Sequence, residues 1–262
     1  MKFPSRLSLD LLRGGIARAF ATGSDNSTIF HLSPSAFSST NQQEIDAESD
    51  PNAALMEIPA NIISQTAAPI FWVGGEAGSD EPLQHPVIGR IAAALNKAGR
   101  NVFLHTDGLR LRKRIHEFRP DPRLFLTVEL AGREEIHDRA VAQSGSFARV
   151  MEGIRAAKLS GFYVCTHVTV NLQTDVCEIS ELFEYLDGYD VDGFIVSSGG
   201  GLIESASGNE LQEKLQDIRS LVRCSRWEYF SSLLEASYAK PRAGKAAVPA
   251  PQGDSSACEE TA

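Results

Sequence analysis

The chain has 262 residues, 42% of them hydrophobic, with a formal net charge of -9 and a pI near 5.2. That length can bury the core of one large domain, and the acidic balance argues against a generic nucleic-acid or anionic-membrane surface. No apolar run approaches the roughly 18 residues of a membrane span, and the four cysteines (Cys165, Cys177, Cys224, Cys258) form no CxxC pair, which indicates neither a disulfide framework nor a zinc knuckle and suits a reducing cytoplasm.

Residues 1–23 read as a basic amphipathic leader helix, with Leu9, Leu12, Ile16 and Phe20 on one side and Arg6, Arg13 and Arg18 toward solvent. The stretch lacks the continuous apolar core and cleavage site of a signal peptide. Residues 24–50 turn to Ser, Thr, Asn, Gln and acids without usable periodicity, a loop-like or disordered composition. Asp50-Pro51 supplies a cap and a first-turn proline for a helix over 54–64.

From Pro69 the pattern becomes regular. An apolar strand over 70–73 runs into Gly74-Gly75-Glu76, and Ile88, Ile91, Ala92 and Leu95 mark a helix closed by Gly99. A strand over 101–105 leads into the turn Thr106-Asp107-Gly108 and a short basic helix. A strand over 124–130 precedes a polar segment and a helix with Phe147, Val150, Met151 and Ile154 on one face. Gly161 closes that helix before a strand over 162–170. Helix 178–187 repeats the spacing with Ile179, Leu182, Phe183 and Leu186, and strand 192–197 opens into Ser198-Gly199-Gly200-Gly201. Leu211, Leu215, Ile218 and Val222 mark a further helix, another runs to about Tyr238, and the tail over 239–262 has a disordered composition. Five strands alternating with helices predict an α/β core over 51–238 with a parallel sheet, either open and doubly wound or a partial barrel. Composition and period do not choose between the two.

Ligands of such folds collect at the carboxyl ends of the strands, which is where Gly74, Gly75 and Glu76 fall. His105, His137, Asp138 and His167 also fall at or beyond strand ends, where barrel metal hydrolases gather ligands. No HxH or HExxH spacing ties any two of them together, and a hydrogen-bonded core histidine is the competing reading. Glu129, inside a strand, needs a partner if it points into a barrel, and Arg139 or a ligand cation is a candidate. The loop 197–205 reads as a connector with a phosphate cradle as its alternative. The run Arg110, Arg112, Lys113, Arg114 reads as the solvated face of a short helix.

The ordered words FWVGGE, EPLQHP, NVFLHTDG, TVELAG, EEIHDRAVAQSGSF, KLSGF and GYDVDGFIVS resemble the radical S-adenosylmethionine (SAM) superfamily, and within it the hopanoid-associated, adenosylhopene-synthase-like branch. The opening KFPSRLSLDLLRGG resembles the leader of that branch. The resemblance implies a partial (β/α)6 TIM-type barrel holding a [4Fe-4S] cluster and SAM, with a small-molecule substrate. It assigns the SAM amino end to Gly74, Gly75 and Glu76 and a second cofactor-binding turn to Thr106, Asp107 and Gly108. His137, Asp138 and Arg139 would shape the mouth of the site together with Glu129, and Asn171, on the fourth of the five strands, would approach the ribose. Three departures limit it. The stretch aligned with the family's CxxxCxxC, residues 31–46 (HLSPSAFSSTNQQEID), contains no cysteine, and serine is a poor substitute for a thiolate ligand of iron. The family's GGEP is also interrupted here by residues 77–81, and Ala131 stands where the branch keeps an acid. The resulting expectation is a protein without a standard cluster: a pseudoenzyme, a SAM binder that does not cleave its ligand, or the partner of an intact paralogue. Non-standard cluster ligation is the alternative within the family.

Overall fold

The structure, a computed structural model, describes residues 3–20, 27–34, 63, 66–74, 81–198 and 208–238. Among these residues a six-stranded sheet carries β1 (Ile29–Leu32), β2 (Ile70–Val73), β3 (Asn101–Thr106), β4 (Leu124–Glu129), β5 (Tyr163–Thr169) and β6 (Gly193–Ser197) in sequence order. Every neighbouring pair is parallel. The strand interiors are buried almost throughout, because both faces are covered and no position alternates to solvent.

The sheet curls. Trp72 on β2 and His167 on β5 lie three strands apart, yet their ring centroids are 5.4 Å from each other, whereas a flat sheet would set the strands about 14 Å apart. The expected partial TIM-type barrel is borne out, and the open doubly wound sheet is not what forms. The convex side carries α2 (Ile88–Lys97), α5 (Ser146–Leu159), α6 (Val176–Asp187) and α7 (Gly208–Ser220), with the short helices α3 (Leu111–Arg114) and α4 (Glu134–Ala140) between strands and helices. The apolar spacings of 88–95, 147–154 and 179–186 are the ones buried.

The concave side is filled by α8 (Ser225–Tyr238). Its Phe230 stacks on Phe103 at 4.5 Å and its Trp227 meets Phe103 and Phe125 edge-on at 6.5 Å. The Trp227 indole lies flush on Gly193 and donates its Nε1–H to the Asp192 carbonyl at 2.9 Å. Phe3, just before α1 (Ser5–Phe20), packs on the same indole at 4.6 Å, and Asp10 on α1 accepts from Asn101 Nδ2 at 2.8 Å. Since Asn101 opens β3, α1 sits at the amino-terminal end of the barrel, opposite the strand ends where ligands gather.

Three expectations need correction or limits. Residues 24–50 contain the strand β1, which is too short at four residues to show a period; it is an edge strand held by β2 and by a 2.6 Å bond between His31 Nε2 and Ser237 Oγ of α8. The leader helix forms, but among its described side chains the buried leucines are Leu7 and Leu11, while Leu9 and Leu12 are 52% and 63% exposed. The Asp10 and Phe3 contacts rotate that stripe inward. The helix over 54–64, the tail over 239–262 and the glycine loop 199–207 fall on residues outside those described, apart from Ile63.

A Cβ on Gly193 would lie 2.3 Å from the Trp227 ring. Gly193→Ala is therefore expected to destabilise the fold by about 1–3 kcal/mol through overpacking. Urea unfolding should show a lower midpoint with an unchanged slope.

Candidate functional site

At the mouth of the half-barrel the strand ends bring two acids together. Glu81, the last residue of the interruption in GGEP, accepts from Thr106 Oγ1 at 2.6 Å, from the Asp107 N–H at 2.8 Å and from the Leu83 N–H at 2.9 Å. The sequence reading placed Glu76 here, but Gly75 and Glu76 lie outside the described residues, and the acid that meets the Thr106-Asp107-Gly108 turn is Glu81. The dipeptide Glu81-Pro82 was the available signal, since it restores the interrupted GGEP after the insertion. Burial, with the charge of Asp107 second, raises the Glu81 carboxyl above its ordinary value, against the lowering effect of its hydrogen bonds. Among the described residues no lysine or arginine pairs with either acid.

Arg114 holds the segment that carries Glu81. Its guanidinium donates to the Leu83 and Pro86 carbonyls and, at 2.9 Å, to that of His85, and it pairs with Glu117. The basic run is thus not uniformly a solvated face: Arg110, Arg112 and Lys113 are exposed and Arg114 is a structural clamp. Gly74 and Gly108 are required by the protein itself. Gly74 has a φ of +152° and a Cβ there would stand 2.7 Å from the His105 carbonyl; Gly108 has a φ of +74° and its Cβ would stand 2.8 Å from Val128.

Inside the mouth, His105, Glu129 and His167 project from β3, β4 and β5 onto the concave face. His167 Nδ1 lies 3.0 Å from His105 Nε2, and His167 Nε2 lies 2.8 Å from Ser197 Oγ. Glu129 places Oε2 3.7 Å from His105 Nε2 and accepts from Thr169 Oγ1 at 2.9 Å through Oε1. Trp72 forms the floor, 5.0 Å from the His105 ring. Burial, and second the neighbouring His105, holds His167 well below the ordinary histidine range, which keeps it neutral.

The remaining predicted residues do not join this group. His137 is buried and accepts from the Ala131 N–H at 3.4 Å, and its burial lowers its basicity. Asp138 caps α5, accepting from Ser146 Oγ at 2.6 Å, the Phe147 N–H at 2.8 Å and the Gly145 N–H at 2.5 Å. The four-residue metal set His105, His137, Asp138, His167 is therefore corrected: His137 is engaged by the loop between β4 and α4, and Asp138 by the α4–α5 connection. Arg139 is exposed and forms no pair with Glu129. Asn171 lies in an exposed turn just past β5, where its side-chain oxygen accepts from the Gln173 N–H at 2.9 Å. A groove of about 200 Å³ between α6 and the end of α7 lies on the convex side, remote from the strand ends.

No family model and no curated protein matches the chain. Its fold is similar to that of SuiB from Streptococcus suis. The SuiB structure bound to S-adenosylmethionine matches with a TM-score of 0.50 at 12% identity, covering 83% of this chain and 59% of that one. SuiB bound to its precursor peptide SuiA matches with a TM-score of 0.50 at 12% identity, covering 84% of this chain and 52% of that one. The chain thus spans little more than half the length of these SuiB chains. The shared architecture is the partial TIM-type barrel. No helix among the described residues is long and apolar enough to cross a membrane.

The Ser146 hydroxyl and then the Phe147 N–H hold the Asp138 carboxyl below its ordinary value of 3.8. Its contribution to stability is fully present above that value and is lost as pH falls through the depressed folded one. Asp138→Ala is expected to lower Tm at neutral pH and to flatten the acid limb of the Tm–pH profile, measured by circular dichroism melts.

Proposed function

We propose that this chain is a radical SAM-like protein, a relative of adenosylhopene-synthase-type enzymes, that holds S-adenosylmethionine or a close analogue at the barrel mouth without a standard [4Fe-4S] cluster. The observation that carries the reading is the placement of cysteine. A cluster needs converging thiolates. Cys165 is sealed inside β5, where burial pushes its thiol well up, Cys177 is exposed at the start of α6, and Cys224 is half-buried before α8. Among the described residues no cysteine joins any group able to hold a metal, and residues 31–46 contain none. The described residues do not fit the cluster, so reductive cleavage of SAM through it is not assigned to this protein.

Support for the ligand comes from the mouth. SAM carries an ammonium and a sulfonium, and Glu81 and Asp107, which meet no lysine or arginine among the described residues, offer these cations a negative site held rigid by Thr106, Leu83 and Arg114. The fold is shared with SuiB, a protein solved with SAM bound. A protein of this kind binds its ligand intact or serves an intact paralogue that performs the chemistry.

The test is calorimetric titration of the full chain with SAM, alongside anaerobic reconstitution with iron and sulfide. Saturable binding without iron–sulfur absorbance and without 5′-deoxyadenosine is the expected result. Glu81→Gln removes a charged hydrogen-bond acceptor and should weaken binding about 10-fold or more. A full iron complement with turnover of SAM would overturn the reading.

A further inference from the structure

The geometry points to a second use of the mouth: His105, Glu129 and His167 form a binding site for one divalent first-row transition cation, of the Zn²⁺, Mn²⁺ or Fe²⁺ class. This inference goes beyond the SAM reading and does not depend on it. The three donor atoms all lie within 4.8 Å of one another. Two ligands bound to one ion at about 2.1 Å stand roughly 3.0 Å apart in octahedral geometry and 3.4 Å in tetrahedral geometry. The observed separations of 3.0 Å between the imidazoles and 3.7 Å from His105 to Glu129 nearly reach those values. The widest separation in the group, 4.8 Å, is longer than one ion allows, so the partly exposed Glu129 carboxylate must swing toward His167 by about 1–1.5 Å, within the reach of a side-chain rotation.

The outer contacts are those a metal site needs. Ser197 Oγ engages His167 Nε2 and so fixes the ring with Nδ1 toward His105. Thr169 Oγ1 engages one Glu129 oxygen and leaves the other facing the histidines. Trp72 packs on both imidazoles and orients them from below.

An imidazole–imidazole hydrogen bond by itself accounts for the 3.0 Å contact but leaves two features without a counterpart. Among the described residues the Glu129 carboxylate meets no lysine or arginine, only His105 and Thr169. Thr127, the register partner of His105 and two residues before Glu129 on the same face, is fully buried and its hydroxyl has no hydrogen-bond partner among the described residues. A cation with its bound water supplies both, the charge to Glu129 and a partner to Thr127. Two histidines and one carboxylate leave coordination positions open, as in catalytic rather than structural sites. The side-chain exposure of Glu129, 26%, places that opening toward the mouth.

The experiment uses the full chain stripped with a chelator and titrated with Co²⁺ and then Zn²⁺. One equivalent of Co²⁺ with visible d–d bands of nitrogen and oxygen ligation, displaced by Zn²⁺, is expected. Glu129→Gln, which keeps an acceptor for Thr169, should weaken Zn²⁺ binding by about 100-fold or more, and Thr169→Val by about 10-fold. Circular dichroism confirms that each variant is folded. Less than one equivalent bound by the unaltered chain, a Co²⁺ spectrum of thiolate ligation, or unchanged affinity in folded Glu129→Gln overturns the assignment.

Discussion

The constraint on which the rest depends is the filling of the concave face. A parallel sheet that curls brings inward-pointing side chains from non-adjacent strands into one volume, and that volume must be packed without voids. Here the lower part is packed by stacked rings, Trp72 on Phe103 at 6.0 Å and Phe103 on Phe125 at 4.5 Å, and by Trp227 and Phe230 of α8 laid against them. Only side chains past this aromatic floor are free to be polar. His105, Glu129 and His167 occupy that next layer, and their burial and mutual closeness follow from the curl as much as from their own chemistry.

The convex half of the fold was legible because each helix on it obeys a simple rule. One apolar stripe faces one buried strand, as with Ile88, Ile91 and Leu95 or Ile179, Leu182 and Leu186. The concave half was not legible in the same way. β1 has four residues and no period, and its place is fixed by β2 and α8 rather than by its own sequence. In α1 the buried leucines are chosen by tertiary anchors at Phe3 and Asp10, which no helical wheel contains.

The site was legible in position and less so in membership. The strand-end rule located Thr106-Asp107-Gly108 and both barrel histidines, since sheet register converts chain position into height along the barrel. It misassigned Asp138, because an acid seven to nine residues before the N–H groups of a helix start caps them through a loop, a contact without short-range spacing. It passed over Glu81 because an insertion moved that acid away from its glycines in sequence, while the backbone returned it to Thr106 in space. Glu129 was singled out with Arg139 or a ligand cation as its partner; the parallel register sets it opposite His167, and it forms no pair with Arg139.

The position of α8 in the chain also bears on how the molecule is assembled. The rings of Phe103 and Phe125 are synthesised well before Trp227 and Phe230 reach them, so the nascent sheet presents an uncovered aromatic trough while translation continues. Contacts of such wide sequence separation form late and slowly. Until they do, the apolar rings of that trough stay open to solvent.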